Sequence, residues 1–375
     1  MLTFLNYTLI VFSLLYSIYI LWQIISWLMA PSHSLIAQDL HTNVSIIIPC
    51  RNEEKNIGNC LQAILQQDYS SSLMEIIVAD DHSGDNTKEV AERILLNSSY
   101  SWKYVKIDDS FSNKKKAIEA AISQSSGELI LVTDADCITT EKWISTIVSI
   151  YEEHHYQMIC GPLSLVNEDT ICDKYQGLEV AGLSILAGAG IFSNNPLLCN
   201  GANIAYTRKA FDSVGGFKNI DSTPSGDDTL LLFKMRKQFP KEIGFAKNKN
   251  AIVYTQAQPN WHQFIQQRIR WASKGFASRN SLNSLVSLLV FVTNFLLFMY
   301  ILGSLVYFSI NWVFISCLFL KFTIDFLLLT CATEFFDKRR LLLHFLTGEF
   351  ITIVYVSWVG LTASFIGYSW KGRDY

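Results

Sequence analysis

Apolar and polar positions divide the 375-residue chain into an alternating middle and two greasy ends. Residues 1–38 contain no Asp, Glu, Lys or Arg, and residues 281–320 contain none either. In the middle, a short β-branched run at 44–49 and a second run at 75–79 read as buried strands, and 102–107 and 128–133 as a third and a fourth strand. Between them, 56–66, 85–96 and 115–123 carry apolar residues at helical spacing, as at Ile57, Leu61, Ile64 and Leu65. Ser83, Gly84 and Asp85 form the N-cap region of the second of these helices. Repeated alternation of strand and helix predicts an α/β domain with a mostly parallel sheet and helices on both faces. Such sheets bind ligands at the carboxyl ends of their strands. The polar segments 49–54, 80–85 and 134–136 all follow strand ends and should meet in one crevice.

The apolar ends read as membrane segments. Residues 2–29 are long enough to span roughly 30 Å of hydrocarbon. No basic stretch precedes them, so they read as a retained anchor and not a cleaved signal. Further spans are expected at 284–310, 312–331 and 341–367, with two spans and a re-entrant segment as the alternative for the C-terminal part. Lys338-Arg339-Arg340 marks a cytoplasmic loop by the positive-inside rule. Counting back places the central domain in the cytoplasm and the N-terminus outside. Lys371 and Arg373 then fall outside, against the rule. Lys321 and Asp325, four residues apart in the third segment, either neutralise each other on one helix face or mark a functional site.

Composition sharpens this only a little. Hydrophobic residues make up 50% of the chain and mean hydropathy is +0.23, the excess lying in the two ends. A net charge of −3 offers nothing to nucleic acid. Eight cysteines form no Cys-x-x-Cys pair and join no His cluster, which disfavours zinc and fits reduced thiols. His154 and His155 are adjacent on a helix and point apart, unlike a ligand pair. No Gly-x-Gly-x-x-Gly follows the first strand and no P-loop is present. Phosphate would have to be held by a metal or by basic side chains.

Four motifs carry the candidate chemistry. Asp134-Ala135-Asp136 places two carboxylates after a buried strand. A hard cation such as Mg²⁺ or Mn²⁺ takes oxygen ligands and shares them with substrate phosphates. The alternative is helix capping near Thr140. Asp80-Asp81 closes the second strand, where a carboxylate can accept from a base or ribose, or cap. Gly226-Asp227-Asp228-Thr229 opens a helix over 230–237, and one carboxylate there suits a general base. Residues 258–276 project as an amphipathic helix. Trp261, Phe264, Ile265, Ile269, Ala272 and Phe276 form its apolar face, suited to the bilayer interface. Gln263, Gln267, Arg270 and Lys274 face the other way, and Arg270 suits a diphosphate. Lys114-Lys115-Lys116 begins a helix, where cations oppose the dipole, so at least one should serve a ligand.

With these residues in view, the chain resembles the membrane-attached, inverting branch of the family-2 glycosyltransferases. That branch includes cellulose, chitin, hyaluronan and poly-N-acetylglucosamine synthases and the ceramide glucosyltransferases. The opening Val44-Ser45-Ile46-Ile47-Ile48-Pro49-Cys50-Arg51-Asn52-Glu53-Glu54 and the four motifs in order carry the resemblance, over about residues 42–275. It implies a GT-A fold and transfer of a sugar from a nucleotide sugar, with UDP-sugars the expected donors. It implies that Glu53, Asp81 and Lys114 contact the nucleoside, that Asp134 lies near the nucleotide, and that Asp136 binds the metal. Asp228 matches the acceptor-activating base. Gln267, Arg270 and Trp271 match the diphosphate and acceptor end. Asn200 and Gly201, with Asp227, match the acceptor side. The family's Gly-Lys-x-x-Ala-Leu-Asn stands here as Asn113-Lys114-Lys115-Lys116-Ala117-Ile118-Glu119, which leaves the acting lysine open.

The expected layout is a transmembrane helix at 1–30 and a GT-A domain at 42–257. An interfacial helix at 258–280 and a membrane region at 281–370 follow. The expected location is the cell (inner) membrane, multi-pass, with the catalytic domain cytoplasmic. The acceptor is a membrane lipid or a growing glycan. Alternatives are a processive polysaccharide synthase and a non-catalytic membrane protein with a degenerate transferase fold. A sugar nucleotidyltransferase would need a Gly-rich, Arg-bearing first loop, which Cys50-Arg51-Asn52-Glu53 is not.

Overall fold

The computed structural model describes residues 2–33, 39–107, 113–220, 226–277, 281–307, 311–362, 369–370 and 373–374. The side chains of Lys274 and Phe276 lie outside this description, as do Lys371 and residues 308–310 and 363–367 of the expected spans. Helix α1 is Leu2–Met29. Next come β1 (Val44–Cys50), α2 (Ile57–Leu65), β2 (Met74–Asp80), α3 (Thr87–Leu95), β3 (Ser101–Lys106), α4 (Lys114–Gln124) and β4 (Leu129–Val132). They are followed by β5 (Ile138–Thr139), α5 (Trp143–His154), β6 (Met158–Cys160), β7 (Leu163–Leu165) and α6 (Ile171–Phe192). Then β8 (Ile204–Thr207), α7 (Arg208–Ser213), α8 (Asp227–Gln238), β9 (Ile243–Phe245) and β10 (Val253–Thr255). The last helices are α9 (Trp261–Ala277), α10 (Ser281–Tyr307), α11 (Trp312–Phe335) and α12 (Phe345–Thr362). The chain divides into two compact units, one of residues 30–166 and 186–256, the other of 1–29, 167–185 and 257–375.

The first unit is built on a seven-stranded sheet of order β3-β2-β1-β4-β8-β6-β9. The four expected strands are all present, each within one residue at either end. They pair in parallel, with Cys50 beside Asp80 and Ile47 beside Val132. Ile46, Ile47, Ile48, Ile76, Ile77 and Val78 are fully buried. Burying each such side chain is worth about 1.5–3 kcal/mol, which is why these runs are apolar without alternation. The sheet then changes direction. β8 runs antiparallel to β4 and to β6, pairing Ile204 with both Val132 and Cys160. The start of β8 therefore lies at the same edge as the carboxyl ends of β1, β2 and β4. A second sheet, of order β5-β10-β7, begins directly after Asp136. Buried Asn203 joins these parts: its Nδ2 donates to the Pro162 and Ala251 carbonyls, both at 2.8 Å, and its Oδ1 accepts from the Trp143 indole at 3.0 Å.

At the opposite edge, Glu75 is buried and accepts from the Ser45 hydroxyl at 2.6 Å and from the Ser126 N–H and hydroxyl at 2.5 and 2.9 Å. Burial alone would raise its pKa. The Ser45 and Ser126 hydrogen bonds, with Lys103 nearby, outweigh that and hold it below the ordinary value.

The second unit is helical. α1, α10, α11 and α12 are each long and apolar enough to cross a membrane, and so is α6, which sequence spacing did not reveal. α6 carries Asp173, Lys174 and Glu179 among its apolar residues, and 67% of its most apolar window is buried within the protein. Lys321 and Asp325 do pair, at 2.7 Å, but not as an isolated couple. Glu349 of α12 bonds the same ammonium, and the Tyr16 hydroxyl of α1 donates to Asp325 at 2.8 Å. All four side chains are buried, so the cluster ties three helices together. The apolar face of α9 also departs from expectation. Phe264 and Ile269 are buried against Tyr355 and Val359 of α12, on protein, not only toward lipid.

Glu75→Gln should destabilise the first unit by about 1–3 kcal/mol at neutral pH. Because the folded pKa is depressed, this advantage of the wild type is complete above about pH 4.5 and fades as pH falls through the folded value. Thermal melting of both proteins between pH 7 and pH 3.5 checks this; a gap that does not narrow in acid contradicts it.

Candidate active site

Three loops leave the carboxyl edge of the parallel strands, where the sequence motifs place the candidate site. After β1, Asn52 takes a left-handed φ of 52°, and after β2, His82 takes 59°. These turns are stitched together. The Asn52 N–H donates to the Ser83 hydroxyl at 3.0 Å, and the Gly84 N–H donates to the Asn52 side chain at 2.8 Å. The Glu53 N–H donates to the Thr87 hydroxyl at 2.8 Å, and the Glu54 N–H to Asp85 at 3.1 Å. Arg51 donates to the Asp81 carbonyl at 3.0 Å. The division of labour among the acids is clear. Asp80 accepts from Ser83 and shapes the turn, and Asp85 accepts from the Thr87 N–H at the start of α3. Glu53 and Asp81 are both buried, Glu53 accepting from Asn56 at 2.8 Å and Asp81 facing Arg51 and His82.

The acidic pair lies in the turn between β4 and β5, held by a sheet on each side. Asp134 and Asp136 are half-buried, alternating with buried Ala135 and Cys137. Neither caps α5, which begins at Trp143 after Lys142. Lys114 Nζ pairs with Asp134 at 2.5 Å and with Asp227 at 3.6 Å. Burial would lower its pKa, but the carboxylates of Asp134, Asp227 and Asp228 outweigh this and raise it above the ordinary lysine range. Lys114 therefore stays a cation at physiological pH. Asn113 caps α4, its side chain accepting from the Lys116 N–H at 2.9 Å. Of the other two lysines, Lys115 is buried with its ammonium on the Ile220 carbonyl, and Lys116 pairs with Glu119 at 2.8 Å. The structure thus singles out Lys114 as the lysine of the acidic cluster.

The loop at 200–201 and the start of α8 meet the same cluster. Gly226, at φ 80°, turns the chain into α8 through a conformation that costs glycine little. Asp227 and Asp228 are the first two residues of that helix. The Gly201 N–H donates to Asp228 Oδ2 at 3.0 Å. A Cβ at 201 would stand 3.3 Å from Asp228 Cβ and 3.5 Å from Lys114 Nζ, so a side chain there would press Asp228 aside by a few tenths of an ångström. Asn200 turns the loop, its side chain accepting from the Ala202 N–H at 3.1 Å. Lys114, Asp134, Asp227, Asp228 and Gly201 thus form one connected group, with Asp136 two residues along. Asp136 with Asp134 offers one or two carboxylates, not a closed cage. That donor set suits a hard divalent cation that completes its shell with water and substrate phosphates.

Gln267, Arg270 and Trp271 belong to the helical unit, on α9, and all three are half-buried. Their neighbour Arg268 is buried on Glu179 of α6, a partnership with no spacing signal in the sequence. A lone acid in an otherwise apolar stretch was the available clue. His154 meets His33, not His155, at 3.2 Å.

An open sheet whose parallel strands end in acidic loops, with antiparallel β8 bringing a glycine loop to the same edge, is the GT-A arrangement of nucleotide-sugar transferases. Comparison with known proteins agrees. Residues 45–215 match the family model described as Glycosyl transferase family 2. An N-acetylglucosaminyltransferase of Rhizobium leguminosarum bv. viciae is 33% identical over 254 residues, covering 64% of this chain and 58% of that protein. Glycosyltransferase AglE of Haloferax volcanii is 27% identical over 191 residues, covering 45% and 62%. The beta-monoglucosyldiacylglycerol synthase of Synechocystis is 25% identical over 239 residues, covering 63% and 48%. The chain therefore spans about half to three-fifths of the length of these relatives. In structure, the mannosyltransferase PcManGT of Pyrobaculum calidifontis, solved with GDP-Man and Mn²⁺, superposes with a TM-score of 0.65 over 97% of this chain and 99% of that one, at 15% identity. Together these findings support a family-2 glycosyltransferase domain over residues 45–215.

Lys114→Met should weaken nucleoside diphosphate binding about ten- to hundredfold, the worth of one charge-assisted contact, and should also lower the melting temperature, because Asp134 and Asp227 lose their shared cation. Lys116→Met should bind as the wild type does. Equilibrium dialysis with UDP and GDP in Mn²⁺ checks both. Equal affinity in Lys114→Met would remove it from the donor site.

Proposed function

We propose that the chain is an inverting glycosyltransferase. It moves a hexose or N-acetylhexosamine from a nucleotide sugar, most simply a UDP-sugar, to a membrane lipid or a growing glycan. The observation that carries this reading is the connected group of Lys114, Asp134, Asp227, Asp228 and Gly201 at the carboxyl edge of a family-2 domain. In this reading Glu53 and Asp81 hold the nucleoside and Lys114 stands beside it. Asp136, helped by Asp134, holds Mg²⁺ or Mn²⁺, which supplies Lewis-acid charge for the diphosphate. By their match to the family's motifs, Gln267 and Arg270 are assigned to the diphosphate as donors, and Trp271, Asn200 and Gly201 to the acceptor.

The chemistry is a single displacement. An acceptor hydroxyl oxygen attacks the anomeric carbon, and the bond from that carbon to the diphosphate oxygen breaks. The nucleoside diphosphate leaves with the electron pair. Asp228 takes the hydroxyl proton. The Gly201 N–H donates to Asp228 Oδ2 at 3.0 Å and the Thr229 N–H to Oδ1 at 2.7 Å, which together fix the carboxylate. Inversion at the anomeric carbon follows from attack opposite the leaving group.

The apolar helices support action at a membrane, and orientation with the domain in the cytoplasm rests on Lys338-Arg339-Arg340. A lipid acceptor is favoured over a long polymer because the bundle is small, and because one relative's name describes a glycolipid product.

Asp228→Asn should lower kcat about 10²- to 10⁴-fold, the usual worth of a general base, with nucleoside diphosphate affinity within a few-fold of wild type. Single-turnover transfer from a radiolabelled donor into lipid extract measures it. Full activity of Asp228→Asn would sink the assignment.

A further inference from the structure

Arg268 has no role in the mechanism above, yet it is the most fully engaged side chain described on α9. Its side chain is 5% exposed. Nε donates to both oxygens of Glu179, at 3.1 and 3.0 Å, and Nη2 closes on the same carboxylate. Tyr355 of α12 donates its hydroxyl to Glu179 at 2.5 Å. The guanidinium lies between two rings, 4.3 Å from the Phe264 centroid and 4.2 Å from that of Trp271. Its last arm, Nη1, donates to Gln267 Oε1.

The chemistry of these contacts fixes more than a helix. Arginine has five N–H donors and no acceptor. It can therefore bond only the carbonyl oxygen of the Gln267 amide, which turns the amide NH₂ away from Arg268. Gln267 is thereby presented as a donor, the polarity an anionic oxygen requires. The same guanidinium packs on the Trp271 ring and sets its plane. One buried cation thus orients two of the three motif residues, and Glu179 with Tyr355 orients the cation.

We propose that the Arg268–Glu179 pair, braced by Tyr355, is a positioning element that presents Gln267 and Trp271 to the donor diphosphate and the acceptor. This rests on the reading of Gln267, Arg270 and Trp271 given above. Glu179 lies on α6 and Tyr355 on α12, so the geometry of the transferase motif is set by side chains of two apolar helices. Removing the carboxylate frees the guanidinium to swing, and the amide and the indole lose their common reference. Misplacement by about 1 Å can cost on the order of a hundredfold in rate without loss of ground-state binding.

The test compares wild type, Glu179→Gln, Glu179→Asp and Tyr355→Phe as full chains in detergent. Transfer kinetics and amide hydrogen exchange over residues 261–277 are read together. Glu179→Gln should lower kcat about 30- to 100-fold with donor KM within threefold, and speed exchange in the α9 peptides. Glu179→Asp should recover part of the loss. Tyr355→Phe, a milder change kept in case Glu179→Gln folds poorly, should cost about tenfold in kcat. Wild-type kcat in Tyr355→Phe and in folded Glu179→Gln overturns the proposal, and faster exchange with intact kcat reduces the pair to a structural anchor. Failure of the wild type to transfer any sugar overturns instead the reading beneath it, and the exchange data still show whether the pair holds the helix.

Discussion

The register of β1, β2 and β4 is the constraint on which the candidate site depends. Parallel pairing obliges three separate loops to leave the sheet at one edge, and the antiparallel entry of β8 adds a fourth. A chain that kept every motif but paired these strands differently would scatter the acids. The apolar runs keep these strands at the buried centre of the sheet, but, being apolar without alternation, they leave the register to hydrogen bonding between the loops. Hydrogen bonds from Asn52, Glu53 and Glu54 to residues 83–87 then lock the first two loops together. Asn203 does the same for the other side of the sheet.

Placing several carboxylates at one edge is costly unless a cation is shared among them. Lys114 supplies that charge inside the domain, between Asp134 and Asp227. The helical unit solves the same problem twice. Lys321 serves Asp325 and Glu349, and Arg268 serves Glu179. Buried pairs of this kind add little net stability but are severe when half removed, so they specify which helices meet. In a region where apolar packing alone discriminates poorly between partners, that specificity is what fixes α1, α6, α9, α11 and α12 in one arrangement.

Much of this was legible in the residues. β1, β2 and β4 were readable because strands buried on both faces need nearly unbroken apolar runs, and each run ended at a polar loop, whereas β3 is largely exposed. That Asp134, Asp227 and Asp228 gather was readable in part, because the acidic motifs follow strand ends or open a helix. Other parts were not. β6, β8 and β9 are three or four residues long, too short to show a period. α6 hid because Asp173, Lys174 and Glu179 interrupt its apolar run, and what makes Glu179 tolerable there is Arg268, 89 residues away. The choice among Lys114, Lys115 and Lys116 depends on which side chain faces β4, and no local pattern records that. The apolar face of α9 was read correctly as apolar, but sequence cannot say whether such a face meets lipid or protein.

The most direct test of the central claim is nucleoside diphosphate release by the purified, detergent-solubilised chain. It would be offered a panel of UDP- and GDP-sugars, Mg²⁺ or Mn²⁺, and membrane lipid extract. The account predicts release with one donor, lost on chelation and in Asp136→Ala, with the sugar recovered in a lipid or glycan product. No release from any donor by folded protein, with lipid and metal present, would contradict it and favour a non-catalytic role for the same fold.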